Sequence, residues 1–238
     1  MKLTVVGSSP ASPNPGGAHS GYLVESGDGR LLLDCGPGVL SRLRIREPWP
    51  SVGAIAITHL HLDHWGDLVP WVWGTEFGPA DPPSTKVELW LPPRGPERLR
   101  WFAGEFGVEE MFDEAFAVRE YETGKAFRAA GLEVVPVRVP HSIDSHGFRV
   151  GDGTATLAYS GDTTASEELV ELARNADLFL CEANLDRHRE SVSHLSPEEA
   201  NAAFVASGAK RLLLTHRPTE WPLPPELELV REGLEVDF

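Results

Sequence analysis

A dense cluster of histidines and one aspartate limits how this chain can fold more than any other feature. Residues 58–64 read THLHLDH and continue Ala54–Thr58, an apolar, β-branched run typical of a strand. His59 and His61 are two positions apart on an extended segment, so their side chains can point the same way toward one cation. The chain then turns toward a predicted helix, so that the rest of the cluster can face a second cation: Asp63 and His64. The cluster therefore predicts a metal site at the end of a strand.

Three further predicted strand ends carry residues of the same kind, namely His141, Asp162 and His216. The strands before them are predicted at Leu132–Val139, Thr154–Ser160 and Arg211–Thr215. Ligands at the carboxyl ends of strands can converge on a cleft at one edge of a sheet, where α/β proteins commonly bind their ligands. The other histidines considered do not follow strands, and we expect them to be ordinary loop or surface residues: His19, His146 and His188.

The rest of the sequence predicts short strands and helices. Further strands are expected at Lys2–Val6, Gly21–Glu25, Arg30–Asp34, Val87–Leu91 and Asp177–Cys181. Helical patterns cover Gly66–Phe77, Pro96–Phe106, Ser166–Asn175 and Pro197–Ser207. The first part is rich in strands, with a hairpin turn at residues 27–29, and the later part alternates strand and helix. This order indicates an α/β or α+β class, with sheets covered by helices, in a single domain over residues 1–238.

Several local features have two interpretations each. Ser8–Gly17 and Pro79–Ser84 are rich in Pro and Gly and predict surface loops, and the first is either a passive turn or a loop that overhangs the site. Trp71 and Trp73 favour core packing, although one ring could instead wall a substrate pocket. The last helix is well marked, because Ser196 begins a capping box and Gly208 provides a C-terminal cap.

Composition and charge exclude several classes of protein. The formal net charge of −15 gives none of the basic surface that a binder of long nucleic acids needs. The apolar runs are too short to span a membrane, and the first residues lack the apolar core of a signal peptide, so we expect a cytoplasmic protein without membrane contacts. The two cysteines, Cys35 and Cys181, form no CxxC pair and are predicted to be buried thiols.

The motifs HLHLDH at 59–64, His141, Ser160–Thr163 and Leu214–His216 resemble, in order and spacing, the metal motifs of the metallo-β-lactamase superfamily. The resemblance implies a four-layer αββα sandwich with two divalent metal ions at its edge. By this resemblance His59, His61 and His141 hold one ion, Asp63, His64 and His216 hold the other, and Asp162 bridges them. Nitrogen and carboxylate ligands suit Zn²⁺ first, with Mn²⁺ or Fe²⁺ as alternatives. Asp34 would orient a ligand histidine.

Two later motifs resemble the ribonuclease Z-like branch of phosphodiesterases. Glu182 ends a predicted strand, and His194 precedes the capped helix, which implies a histidine at the cleft that is not a ligand and that Glu182 could orient. Ribonuclease Z carries an arm that grips tRNA between the motif histidine and the bridging aspartate. Here His141 and Asp162 are only 21 positions apart, which leaves no room for such an arm.

These motifs together predict a metal-dependent hydrolase, with a phosphodiesterase acting on small or short nucleotide-like substrates as the preferred function. The two ions would activate a water molecule, Asp63 would position it or accept its proton, and His194 would protonate the departing oxygen. The alternatives are a thioester or lactone hydrolase and a metal-binding accessory protein without turnover. The expected substrate is a small phosphodiester or a short oligonucleotide rather than a long structured RNA, and the resemblance also suggests a homodimer.

Overall fold

The computed structural model describes residues 1–78, 84–189 and 192–238. In chain order the strands are β1 (Lys2–Gly7), β2 (Gly21–Ser26), β3 (Gly29–Leu33), β4 (Ala54–Ala56), β5 (Val87–Leu91), β6 (Phe116–Glu120), β7 (Phe127–Ala129), β8 (Leu132–Val139), β9 (Ser145–Gly151), β10 (Thr156–Tyr159), β11 (Leu178–Glu182), β12 (Leu212–Thr215) and β13 (Glu235–Asp237). The helices are α1 (Val39–Arg46), α2 (Leu62–Trp65), α3 (Leu68–Phe77), α4 (Gly95–Gly104), α5 (Met111–Ala115), α6 (Glu167–Ala173) and α7 (Pro197–Ser207). No described helix is long and apolar enough to cross a membrane.

The strands form two mixed sheets. The first has the order β13-β1-β2-β3-β4-β5-β6, and the second has the order β12-β11-β10-β9-β8-β7. Strands β3 to β6 are parallel in the first sheet, and β10 to β12 are parallel in the second. Parallel neighbours end at the same edge of their sheet, so the loops after β4, β10 and β12 are suited to meet at one edge of the sandwich.

The buried apolar side chains form three clusters. Strand residues such as Val5, Leu31 and Phe148 pack between the two sheets. A second cluster lies between the first sheet and helices α1, α3, α4 and α5, and a third lies between the second sheet and helices α6 and α7. Each sheet therefore buries both faces, one against the other sheet and one against helices. The predicted four-layer αββα sandwich is confirmed.

All nine predicted strands are present, with ends shifted by up to two residues. The hairpin turn is confirmed, because Ser26 pairs with Gly29 and leaves two residues in the turn. The capping box of α7 is also confirmed: the Ser196 side chain accepts from the backbone N–H of Glu199, and the Glu199 carboxylate accepts from that of Ser196. Gly208 ends the helix in the left-handed conformation, as predicted.

Several predicted elements differ from the structure. The helix predicted at Gly66–Phe77 is α3, which begins at Leu68 because the chain turns at Gly66 and Asp67. Strands β6, β7, β9 and β13 and helices α1, α2 and α5 were not predicted. Of the loop predicted at Pro79–Ser84, residues 79–83 lie outside the described residues. Trp71 packs in the core as expected, whereas Trp73 is 39% exposed. Both cysteines are free and buried, as predicted.

Candidate metal centre

The structure brings all seven predicted ligands together at one edge of the sandwich. His59 and His61 lie in the loop after β4, and the short helix α2 that follows carries Asp63 and His64. The remaining three lie in the loops after β8, β10 and β12: His141, Asp162 and His216. Helix α2 turns the chain after His61, so the residues of the HLHLDH motif can face two separate cation positions. The expected convergence from four separate loops is therefore observed.

The first ligand group consists of His59, His61, His141 and Asp162, whose candidate ligand atoms all lie within 4.8 Å of one another. The Nδ1 atom of His61 lies 3.1 Å from Nε2 of His59 and 3.2 Å from Nε2 of His141. Two nitrogens bound to the same Zn²⁺ at tetrahedral angles are about 3.3 Å apart, given bonds of about 2.0 Å. The spacing of these nitrogens matches that of ligands around a single small cation.

The second ligand group consists of Asp63, His64, Asp162 and His216, again within 4.8 Å of one another. Nε2 of His216 lies 3.1 Å from Asp63 Oδ2, and Nε2 of His64 lies 3.3 Å from Asp162 Oδ1. Asp162 belongs to both groups, and its other oxygen, Oδ2, lies 3.8 Å from Nε2 of His59. The two oxygens of one buried carboxylate therefore face the two groups, as expected of a bridging residue.

Hydrogen bonds fix which nitrogens are free to bind a cation. The His141 ring donates through Nδ1 to the carbonyl of Ser193, at 2.8 Å. The Thr58 hydroxyl donates a hydrogen bond to the carboxylate of Asp34, so its Oγ1 accepts from Nδ1 of His59, at 3.0 Å. Both histidines therefore present an unprotonated Nε2 to the site. Neutral imidazole is the form of histidine that binds metal.

The ionisation states agree with a metal centre. Burial lowers the pKa of the His59 ring well below its usual range, and it lowers the pKa of His141 to about 4. Burial alone would raise the pKa of the Asp162 carboxyl, but His216 and His64 outweigh burial and hold that pKa well below its ordinary value. Neutral rings of His59 and His141 beside an ionised Asp162 are the protonation states that a divalent cation in the first ligand group requires.

Two buried atoms test whether a cation fits. Nε2 of His64 and Oδ1 of Asp162 are inaccessible to solvent and have no hydrogen-bond partner among the described residues. His64 donates through Nδ1 to Asp34. Burial lowers the pKa of its ring, but Asp162 and Asp34 outweigh burial and raise that pKa well above its usual range, so Nε2 faces Oδ1 of Asp162 across a position that a proton or a cation can fill. A cation between these two atoms would take the place of that proton and satisfy both atoms. The donor set, nitrogen and carboxylate without thiolate, fits Zn²⁺, Mn²⁺ or Fe²⁺.

Asp34 orients His64 from behind the site, as predicted. Its Oδ2 accepts from His64 Nδ1 at 2.8 Å and from the Tyr159 hydroxyl at 2.7 Å. Its Oδ1 accepts from the backbone N–H of Thr58 at 2.8 Å, which ties it to the loop that carries the HLHLDH motif. Asp34 is completely buried and has a positive φ of 58°, so the fold holds it in an uncommon backbone conformation to make these bonds.

Replacing Asp34 should therefore weaken metal binding without removing a ligand. Asp34→Asn keeps the shape but removes the negative charge that holds the His64 ring in one tautomer. We expect the affinity for the metal of the second ligand group to fall about 10–100-fold. Competition with a chromogenic chelator measures it, with Asp28→Asn in the exposed hairpin turn as a control. Unchanged affinity would show that Asp34 supports only the fold.

Glu182 and His194 form a pair beside the second ligand group. The His194 ring donates through Nδ1 to Glu182 Oε1 at 2.9 Å, and it stacks on His216 with ring centres 5.7 Å apart. The buried Glu182 carboxylate also accepts from the backbone N–H groups of Thr163 and Leu195. Burial lowers the pKa of His194, but the hydrogen bond and charge of Glu182 outweigh it and raise that pKa to about 9. The His194 ring is therefore protonated at neutral pH.

The three remaining predicted histidines have different environments. His188 is exposed and contacts Glu199 at 2.6 Å, as expected of a surface residue. The prediction for His146 was wrong: this residue lies in β9, is only 2% exposed, and pairs with the Thr123 hydroxyl at 2.8 Å. His19 is half-buried, and the charge of Asp63 acts on its ring, so it lies near the site without belonging to either ligand group.

The loop Ser8–Gly17 is attached to the segment that carries His216. The carbonyl of Ser8 accepts from the backbone N–H of His216 at 3.0 Å, and Asn14 donates to the carbonyl of Arg217 at 3.1 Å. Of the two interpretations of this loop, these contacts favour a part of the wall of the site over a passive turn.

Comparisons with known proteins agree with this architecture. The family described as the beta-lactamase superfamily domain matches residues 29–217. The Mycobacterium leprae protein ML1173 is 37% identical over 92% of this chain and 78% of its own length. Ribonuclease Z of Mycobacterium bovis is 27% identical over 91% of this chain and 85% of its own.

The Bacillus subtilis protein YhfI, named a probable metallo-hydrolase, is 28% identical over 92% of this chain and 87% of its own length. The crystal structure of YhfI, described as a metallo-beta-lactamase fold protein, has a TM-score of 0.85 against this chain, at 24% identity over 99% of both chains. The match covers both sheets and the loops that carry the two ligand groups. The chain therefore belongs to the metallo-β-lactamase superfamily.

Proposed function

We propose that this protein is a two-metal phosphodiesterase that acts on small or short nucleotide-like substrates. The observation that carries the proposal is the pair of Glu182 and His194 beside the ligand groups, with the His194 ring 5.2 Å from that of His141. A phosphodiester with an alkoxide leaving group needs a proton on the departing oxygen, and His194 can provide it. The similarity to a protein named ribonuclease Z supports a phosphodiester as the bond cleaved.

The first and second ligand groups would hold two divalent cations. When bound, the cations would supply a lowered pKa for a coordinated water molecule and charge neutralisation for the phosphoryl oxygens. The chain itself contributes the protonated His194 ring, whose Nδ1 is held by Glu182 so that Nε2 is the atom that exchanges a proton. Asp63, with its pKa lowered chiefly by His216 and His64 against the effect of burial, is ionised and can accept a hydrogen bond from a nucleophilic water.

The two alternative functions make different demands on these residues. A thiolate or other good leaving group departs without a proton, so a thioester hydrolase has little need for the His194–Glu182 pair. A metal-binding accessory protein would need neither a proton donor nor turnover. Full metal occupancy with no hydrolysis of phosphodiesters, thioesters or lactones would favour the accessory protein.

The expected size of the substrate follows from the same edge of the fold. Residues 142–161, between His141 and Asp162, contain only strands β9 and β10 and their connections, with no insertion that could grip a tRNA. The net charge of −15 opposes the binding of a long polyanion, because phosphate contacts provide much of the affinity for RNA. A small substrate needs neither a gripping insertion nor the many phosphate contacts that the negative charge opposes.

A comparison of two substrates tests this proposal. We expect a tRNA precursor to be cleaved at least about 100-fold more slowly, in kcat/KM, than a small phosphodiester such as a nitrophenyl ester of a nucleotide. Binding of the precursor should remain weak at low salt, where electrostatic attraction is strongest. Both substrates are assayed in one buffer with the metal-loaded protein. Faster cleavage of the precursor would overturn the proposed substrate class.

A further inference from the structure

A hollow of about 340 Å³ lies directly beside the first ligand group. It is lined by Arg98 of α4, by Arg138 and Val139 at the end of β8, and by residues 140–144 of the loop that follows this strand. His141 belongs both to this lining and to the first ligand group, and its side chain is buried, so the segment that carries His141 lies between the hollow and the metal centre. A substrate that reaches from the metals across this segment would place a second group in this space, which we name the Arg98–Arg138 hollow.

The hollow is positively charged on a strongly negative protein. Arg138 pairs with Asp144 at 2.6 Å, and both side chains are largely exposed, at 69% and 53%. Arg98 is exposed and forms no ion pair with any residue that the structure describes. Two guanidinium groups against one carboxylate leave a net positive charge at this rim, although the whole chain carries −15.

The chemistry of these groups favours a phosphate. Guanidinium groups bind phosphate through two parallel hydrogen bonds, and a phosphomonoester carries about −1.5 to −2 charges at neutral pH. The ion pair between Arg138 and Asp144 is exposed, and pairs of this kind add little stability. Arg138 can therefore exchange a single carboxylate for a phosphate in the hollow that Arg98 also lines.

We propose that the Arg98–Arg138 hollow binds a second phosphate of the substrate, so that the preferred substrates are nucleotide phosphodiesters that also carry a terminal phosphomonoester. The diester is held at the metal centre, and the terminal phosphate lies on the two arginines. This inference rests on the proposed phosphodiesterase function, because it names the substrate class of that same site.

Two substrates that differ only in the second phosphate test the proposal. They are the 5′-nitrophenyl phosphate diester of thymidine and the same compound with a 3′-phosphate, assayed with the metal-loaded protein. We expect kcat/KM to be about tenfold higher for the compound with the 3′-phosphate, as two charge-assisted contacts allow. The double variant Arg98→Gln, Arg138→Gln should lose this preference and keep its rate on the simple diester.

The matched control is the double variant Arg174→Gln, Arg211→Gln. Both of its arginines are in exposed ion pairs outside the hollow, so the net charge changes equally. This control should keep the tenfold preference. Equal rates of the wild type on the two substrates, or a preference that survives in the Arg98–Arg138 variant, would overturn the proposal.

A binding measurement separates failure of this inference from failure of the proposed function. If neither diester is hydrolysed, the phosphodiesterase proposal is wrong, and calorimetry with adenosine 3′,5′-bisphosphate and adenosine 5′-monophosphate then tests the hollow alone. About tenfold tighter binding of the bisphosphate, lost in the Arg98–Arg138 variant, would support a phosphate site in the hollow. Equal affinities for the two nucleotides would contradict it.

Discussion

Asp162→Ala should abolish hydrolysis and reduce the bound metal to fewer than two ions per chain. Asp162 is the one residue that belongs to both ligand groups, with Oδ1 at 3.3 Å from His64 and Oδ2 at 3.8 Å from His59. Its removal takes away a ligand from each cation and leaves two like charges close together without a shared anion. Loss of several kcal/mol of electrostatic stabilisation lowers kcat/KM by roughly 10³-fold or more.

Elemental analysis after dialysis measures this effect together with activity on a nitrophenyl phosphodiester. Asp28→Ala is the control, since Asp28 is exposed in the turn between β2 and β3 and should change neither quantity. Circular dichroism shows whether the Asp162 variant keeps its strands and helices. A folded variant that retains two tightly bound ions would exclude Asp162 as a bridging ligand.

The convergence of the seven candidate ligand residues could be predicted because their signal is local. A histidine or aspartate that directly follows an apolar, β-branched strand can be recognised from the sequence pattern. Parallel strands in one sheet have their carboxyl ends at one edge of that sheet. His59, His141, Asp162 and His216 all have this setting. The two-sheet architecture, by contrast, came from the resemblance to a family, because strand periodicity does not reveal which strands share a sheet.

The elements that escaped prediction have weak local patterns. Strand β9 contains two glycines and a histidine in seven residues, and it forms because β8 and β10 pair with it on both sides. Its central position also buries His146, whose sequence neighbours gave no sign of a core location. Strands β7 and β13 have only three residues each, too few to show an alternation. Tertiary pairing, rather than propensity, determines these segments.

The partners of the ligands were also hidden from the sequence. The contact between Tyr159 and Asp34 spans 125 positions, and the one between His141 and the carbonyl of Ser193 spans 52. These bonds select the tautomers of the ligand rings, yet a tyrosine hydroxyl and a backbone carbonyl have no sequence motif. The resemblance implied that Glu182 could orient His194. Their contact joins residues 12 apart and depends on the loop between β11 and α7.

His194→Ala should reduce activity in a way that depends on the leaving group. A nitrophenolate departs readily as an anion, whereas a ribose alkoxide needs a proton, which the protonated His194 ring can give. We expect a loss of about 10²–10⁴-fold in kcat/KM on a substrate with an alkoxide leaving group and little loss on a nitrophenyl diester, with metal content unchanged. Equal losses on both substrates would mean that His194 binds the phosphate or supports the fold.

The pH dependence gives the same residue a second, independent test. Glu182 raises the pKa of His194 to about 9, so the ring is protonated below that pH and loses its proton as the pH rises through this value. The rate on the alkoxide substrate should therefore fall at alkaline pH in the wild type. In His194→Ala this basic limb should be absent, and on the nitrophenyl substrate the variant should follow the wild type.

Glu182→Gln removes the charge that raises the pKa of His194, so its basic limb should move to lower pH while its metal content stays at the wild-type level. A basic limb at the same pH in all three proteins would assign that titration to another group and remove His194 from the role of general acid.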